Sequence, residues 1–189
     1  YNIAWSVDGI FLDFLTVKAS SMLGWLDSML YDDANIPIVN DSSRDFIDTI
    51  KYTFDYARNL RIEWSNSQLK ESGYRRWNKD KVKVLLDVGQ IGASYIPGHA
   101  HADTFNFEFI YNSKSIIIDP GVSTYENNDS RKIERSTEYH NTIRINKSNS
   151  SEVWDIFKVG NRANVIEISN NNVDYIIVQS ESMYSILKK

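Results

Sequence analysis

The chain has 189 residues, with 42% apolar and 24% charged side chains. That is enough for one real core or for parts of two domains, and it excludes a disordered or low-complexity protein. A formal charge of −4 argues against a nucleic-acid binder, which needs a basic stripe to neutralise phosphates, and the absence of cysteine excludes disulfides, thiol catalysis and sulfur-ligated metal.

The first residues, Tyr1-Asn2-Ile3-Ala4, carry neither an initiator methionine nor a signal-peptide pattern. They read as the start of a piece of a longer protein, with any export signal upstream. Asp13, Lys18 and Asp27 are expected to break the apolar start too often for a transmembrane run. Phe11, Phe14, Leu15, Ala19, Met22, Leu23, Leu26 and Leu30 recur with helical spacing. A turn-prone run from Asp32 to Ser43, containing Pro37, separates this from a second helix expected over 43–60, capped by Ser42 with Asp45 at the third position. Residues 1–62 thus form a helical segment whose two apolar stripes need a further layer to cover them.

Residues 63–81 are polar and read as a linker, with a short strand around Gly73 to Trp77. From Val82 to Lys189 the pattern is β. Val82, Val84, Leu86 and Val88 alternate with other residues, and Gly89-Gln90-Ile91-Gly92 breaks the run. Phe105, Phe107 and Phe109 predict a strand, Asn112-Ser113 a turn, and Ile116 to Ile118 the return strand, which ends at Asp119-Pro120-Gly121. Asp119 to Tyr139 reads as a long polar loop without regular structure, of the kind that covers a site. Further strands are expected at 141–146, 153–159, 163–168 and 173–179, with Tyr184 to Lys189 as the start of another. The resulting fold class is α+β, helices followed by antiparallel sheets stacked as a sandwich.

All three histidines fall in this β region: His99 and His101 in Gly98-His99-Ala100-His101-Ala102-Asp103, and His140 beyond the polar loop. Residues at i and i+2 of an extended backbone point to one face. A hairpin that returns Asp119 beside His101, with His140 joining them, makes a two-nitrogen, one-oxygen set suited to Zn²⁺. The bland reading is a set of packed histidines beside a turn. The separations along the chain have no local logic, so only folding decides between the two.

The ordered motifs Gly98-His99-Ala100-His101-Ala102-Asp103, Phe107-Glu108, Ile118-Asp119-Pro120-Gly121 with Tyr125, Arg135-Ser136-Thr137, His140-Asn141-Thr142 and Ser151-Glu152-x-Trp154 together resemble the heparinase II/III-like family of polysaccharide lyases. The likeness covers roughly residues 72–160. It implies that an (α/α) toroid, of which residues 1–62 are the last helices, precedes the antiparallel β-sandwich. It implies zinc on His101, Asp119 and His140 and a catalytic role for His99 and Tyr125. The planar fork of Arg135 suits binding of a substrate carboxylate or sulfate, with a structural salt bridge as the alternative. Glu108 and Asp103 are expected to brace the site. The partner it implies is an anionic, uronate-containing polysaccharide cleaved by β-elimination, and the location is periplasmic, secreted or cell-surface. The toroid's own tyrosine, asparagine and histidine would lie upstream, so the chain alone is expected to be inactive. The alternative is a non-catalytic module that binds or organises surface glycan and keeps the metal as a staple.

Overall fold

The computed structural model describes residues 9–31, 36–44, 47–170 and 176–180. The chain divides into two compact units: a helical one of residues 1–36 and 45–69, and a β-rich one of residues 37–44 and 70–189. The architecture is α+β with antiparallel sheet.

In the helical unit, α1 (Gly9–Met29) and α2 (Ile47–Asn59) form within the expected spans, but only part of the α1 stripe is covered. Leu23, Ile50, Phe54, Ala57 and Ile62 form the core, with Leu26, Leu30 and Trp64 packed against it. The stretch after α2 does not behave as a free linker. Ser20 donates its hydroxyl hydrogen to the Glu63 carbonyl at 2.6 Å, the Ser67 N–H donates to Ser28 Oγ at 2.7 Å, and the Ser65 carbonyl lies where a Cβ on Gly24 would stand. Gly24 therefore sits in the helix because backbone passes directly over it. Ile10, Phe11, Phe14, Val17 and Met22 remain exposed, so the front half of α1 lacks a covering layer among the described residues. Despite its charges, α1 is by length and composition apolar enough to cross a bilayer, with a mean hydropathy of 1.2 over its best window. The cap read at Ser42 with Asp45 involves a position outside the described residues.

The β-rich unit is built on a four-stranded antiparallel sheet of β1 (Tyr74–Lys79), β2 (Val82–Asp87), β3 (Phe107–Tyr111) and β4 (Lys114–Ile117), in that order. Asn112 and Ser113 join β3 to β4 with φ of 51° and 60°, the left-handed pair that a tight hairpin of matching twist requires. Strand alternation holds, but the faces carry a surprise. On β3 the deeply buried side chains are Glu108 and Ile110, preceded by Asn106, while Phe107 and Phe109 are only half-buried. The innermost face of this hairpin is thus partly polar, which a protein tolerates only where each polar group is paired.

Three expectations change. The polar segment after Asp119 contains a short helix, α3 (Asp129–Glu134), and a turn of 3-10 helix at Thr137–Tyr139. Asn128 caps α3 by accepting from the Arg131 N–H at 2.9 Å, so a local side-chain bond replaced the expected loop. The strand expected at 141–146 is reduced to a single bridge between Ile145 and Ser148, because Asn146 and Lys147 turn left-handed. The strand expected at 153–159 is a tight ribbon of β5 (Val153–Trp154) and β6 (Lys158–Val159), broken where Asp155 takes a φ of 53°. Finally β7 (Val165–Asn170) pairs with β8 (Ile176–Ser180). The strand read at 184–189 lies outside the described residues.

Candidate active site of the β-rich unit

Four short segments meet around the histidine motif: residues 37–44, the motif itself, the turn after β4, and α3 with its following turn. The motif is pinned to the α3 side by backbone. The Ala102 N–H donates to the Arg135 carbonyl at 3.0 Å, and the Thr137 hydroxyl donates to the Ala102 carbonyl at 2.5 Å. Residue 40 fixes the other side, where the His101 N–H donates to Asn40 Oδ1 at 3.0 Å.

The Asp-Pro-Gly turn carries Asp119 inward. Its Oδ1 accepts from the Gly121 N–H at 2.8 Å and its Oδ2 from Asn106 Nδ2 at 2.6 Å. Gly121 has a φ of 66°, and a Cβ there would collide with the Ile38 side chain and the Ser42 carbonyl, so only glycine serves. Glu108 ties the segments together, accepting through Oε1 from the N–H groups of Ile38 and Asp119, each at 3.1 Å. This is the bracing role expected of it.

The structure does bring His101, Asp119 and His140 together, but in a line. Asp119 Oδ2 lies 2.7 Å from His140 Nδ1, and His140 Nε2 lies 3.3 Å from His101 Nδ1. His101 Nε2 then lies 2.8 Å from Asp41 Oδ1. Asp119 therefore stands behind His140, as a carboxylate that fixes ring and tautomer. Among the described residues no three acid or imidazole side chains converge on one point as ligands. The two facing nitrogens are different. Each ring gives its other N–H to a carboxylate, so Nδ1 of His101 and Nε2 of His140 oppose lone pair to lone pair unless a proton or a cation lies between them. Two nitrogens bound tetrahedrally to zinc at about 2.0–2.1 Å stand roughly 3.3–3.4 Å apart. The 3.3 Å separation matches that spacing, and the pair supplies two of the three or four ligands zinc takes.

Asp41 is the residue that sequence reasoning missed. It lies in the run read as an inter-helix turn, and one carboxylate serves three cations or potential cations. Arg131 grips it with both Nη atoms, Nη2 at 2.9 Å from Oδ2, while His101 Nε2 reaches Oδ1 and His99 Nδ1 reaches Oδ2, the last two at 2.8 Å. Burial alone would raise its pKa, but the bonds from His101, Arg131 and His99 outweigh this and hold it below the usual carboxylate range. His101 goes down, foremost because it is buried, and its bond to Asp41 only partly offsets that. His140 is buried too, yet its bond to Asp119 and that charge carry it up. The local signal for Asp41 was the apolar pair Ile38-Val39 before Asn40-Asp41, which buries this stretch although it has no periodicity.

His99 departs from its neighbour. Its side chain is 74% exposed, anchored by Nδ1 on Asp41 so that Nε2 is turned to the open side. Tyr125 stands against it with ring centroids 6.2 Å apart and edge-on, and donates its hydroxyl hydrogen to the Asp41 carbonyl at 3.3 Å. Its pKa goes up, first from burial and then from the Asp41 charge, so the phenol keeps its proton. Arg135, whose fork suited either a substrate anion or an internal structural contact, is 1% exposed. Its Nη1 donates to the Asp155 carbonyl at 3.0 Å and its Nη2 to the carbonyls of Ala100 and Lys158 at 3.0 and 3.3 Å. Here it is an internal brace.

Residues 62–187 match the profile of the heparinase II/III-like C-terminal domain. That is well over half of the chain, and the chain belongs to this family. Among solved structures it is similar to heparan sulfate lyase HepC from Pedobacter heparinus, at 17% identity and a TM-score of 0.54, covering 82% of this chain and 27% of that one. A mutant of the same lyase matches at 18% identity over 75% of this chain and 26% of that one, with a TM-score of 0.49. These likenesses concern the fold, and the chain spans about a quarter of the solved relatives' length. No curated protein matches it.

Proposed function

We propose that the protein carrying this chain is a polysaccharide lyase that cleaves a uronate-containing anionic glycan by β-elimination, outside the cytoplasm in the periplasm or at the cell surface. The observation that supports this most directly is the exposed His99, with Nδ1 fixed on the buried Asp41 carboxylate and the Tyr125 phenol beside it. Elimination needs a base at C5 and a proton for the departing O4. His99 Nε2 takes the C5 proton, and the carboxylate on the ring's far side stabilises the imidazolium that forms. The C–H electron pair becomes the C4–C5 double bond, the C4–O4 bond breaks, and Tyr125, kept as a phenol, protonates O4.

Zinc belongs to the same proposal. His101 Nδ1 and His140 Nε2 would hold it, with Asp119 orienting His140, and its positive charge would order the loop that carries His99. The scaffolding alternative shares all these residues and differs in one outcome. Full-length protein is incubated with heparan sulfate, hyaluronan and alginate, and unsaturated uronate is followed by its ultraviolet absorbance. Product from wild type and at least a thousandfold less from His99→Ala is expected. Glycan binding without product would favour the scaffold, and undiminished turnover in the variant would remove His99 from the chemistry.

A further inference from the structure

Phe157 sits at the tip of the β5–β6 ribbon and is 44% exposed, although it is a large apolar residue beside the polar site. Its loop is held with unusual effort. Arg131 and Arg135 lie one helical turn apart and so share a face of the α3 segment. Both are 1% exposed. Arg131 Nε donates to the Ile156 carbonyl at 3.2 Å, and Arg135 donates to the carbonyls of Asp155 and Lys158 at 3.0 and 3.3 Å. Two buried guanidinium groups thus fix the peptide groups on both sides of a side chain that is itself left open. Gly98 packs beside it, where a Cβ would stand in ordinary contact with Phe157 Cβ and its carbonyl oxygen at 3.4 Å.

The ring faces the candidate catalytic pair. Its centroid lies 5.6 Å from that of His99 at 64° and 5.8 Å from that of Tyr125 at 34°, and the Arg131 guanidinium carbon lies 5.4 Å from it and 5.2 Å from Tyr125. The result is a corner: two tilted aromatic rings as floor, the His99 imidazole as an upright wall, and a paired cation beneath. A flat apolar face edged by a polar wall suits a pyranose ring, whose axial hydrogens pack on π surface while its hydroxyls point sideways.

We propose that Phe157, with the open part of Tyr125, is a stacking subsite that positions one sugar ring of the glycan against His99. This rests on the lyase reading for the identity of the ligand. Phe157 is a positioning residue, and its loop is preformed by Arg131 and Arg135, so no ordering is needed on binding.

The test is calorimetric titration of full-length protein with tetrasaccharides of heparan sulfate, hyaluronan and alginate, alongside the product assay. For the tetrasaccharide that wild type binds, Phe157→Ala and Phe157→Leu should each weaken binding about tenfold, while Phe157→Trp should stay within about twofold of wild type. Leucine supplies apolar bulk without a ring, so its failure and the success of tryptophan separate stacking from mere filling of space. Equal affinity in all four proteins would overturn the subsite, even if unsaturated product still forms. Weakened binding in the alanine and leucine variants of a protein that makes no product would sustain the subsite and defeat the lyase. A wild type that binds none of the three would end both.

Discussion

His99 and His101 are two residues apart, share the carboxylate of Asp41, and have opposite fates. The side chain of His99 is 74% exposed, whereas that of His101 is fully buried. The first uses Asp41 as an anchor and leaves a nitrogen toward solvent. The second uses it to close one end of a line that runs through His140 to Asp119. The motif is not an extended strand: a turn closed by the Ala100 N–H on the Pro97 carbonyl at 3.0 Å holds His99 at the surface, while Arg131 and the segment that carries Asp41 cover His101. One anion thereby joins a buried pair of facing imidazoles to an imidazole left open to solvent.

Removing that shared anion should have the largest effect. Asp41→Ala leaves a buried guanidinium and a buried imidazole without their acceptor, and should cost about 3–5 kcal/mol in urea unfolding. A loss below about 1 kcal/mol would show that the two histidines are not held through it.

The next contrast separates the histidines themselves. His101→Ala should abolish zinc binding, measured by elemental analysis after dialysis against micromolar zinc, and lower stability by about 2–3 kcal/mol. His99→Ala should keep full zinc content and change stability by no more than about 0.5 kcal/mol. Chelation should lower the melting temperature of wild type and of the His99 variant, and leave the His101 variant unmoved. Equal metal content in all three would break the division of labour.

The smallest effect sharpens what a cation does for a buried acid. Asp87 accepts from the Gly89 N–H at 2.8 Å, and burial, followed by the charge of Asp119, pushes its carboxyl up to about 6. An acid raised above its unfolded value of about 3.9 holds a proton in the fold that it loses on unfolding. Its contribution is therefore complete below pH 4 and falls away as the pH rises toward 6. Wild type should lose about 2 kcal/mol relative to Asp87→Asn between pH 4 and 7. Asp41, held down by its bonds from His101 and Arg131, shifts the other way: its contribution is present above about pH 4 and is lost progressively as the pH falls below that. A flat difference between wild type and the Asp87 variant would show that burial alone does not set this carboxyl apart.

Much of this was legible from local pattern. The stripe from Phe11 to Leu30 marks α1, and Asn112-Ser113 between two apolar runs marks the tight hairpin, because asparagine tolerates the left-handed turn. Other pieces were not. Six residues of α3 are too few for periodicity to register, and Asn128 alone signalled it. Ile143 and Ile145 alternate like a strand yet find almost no partner, since a strand is defined by its neighbour and not by its own residues. Asp41 lies in a stretch without period, and its partners, His101 and Arg131, are 60 and 90 residues away.

The sequence by itself determined the α+β class and the family, because periodicity, turn chemistry and ordered motifs are written along the chain. Only the tertiary structure decided how the site residues gather in space: that Asp119 stands behind His140, that Arg135 turns inward, and that Asp41 is shared. Those outcomes depend on which polar groups are stripped of water together, and each group then takes whichever long-range partner repays its burial.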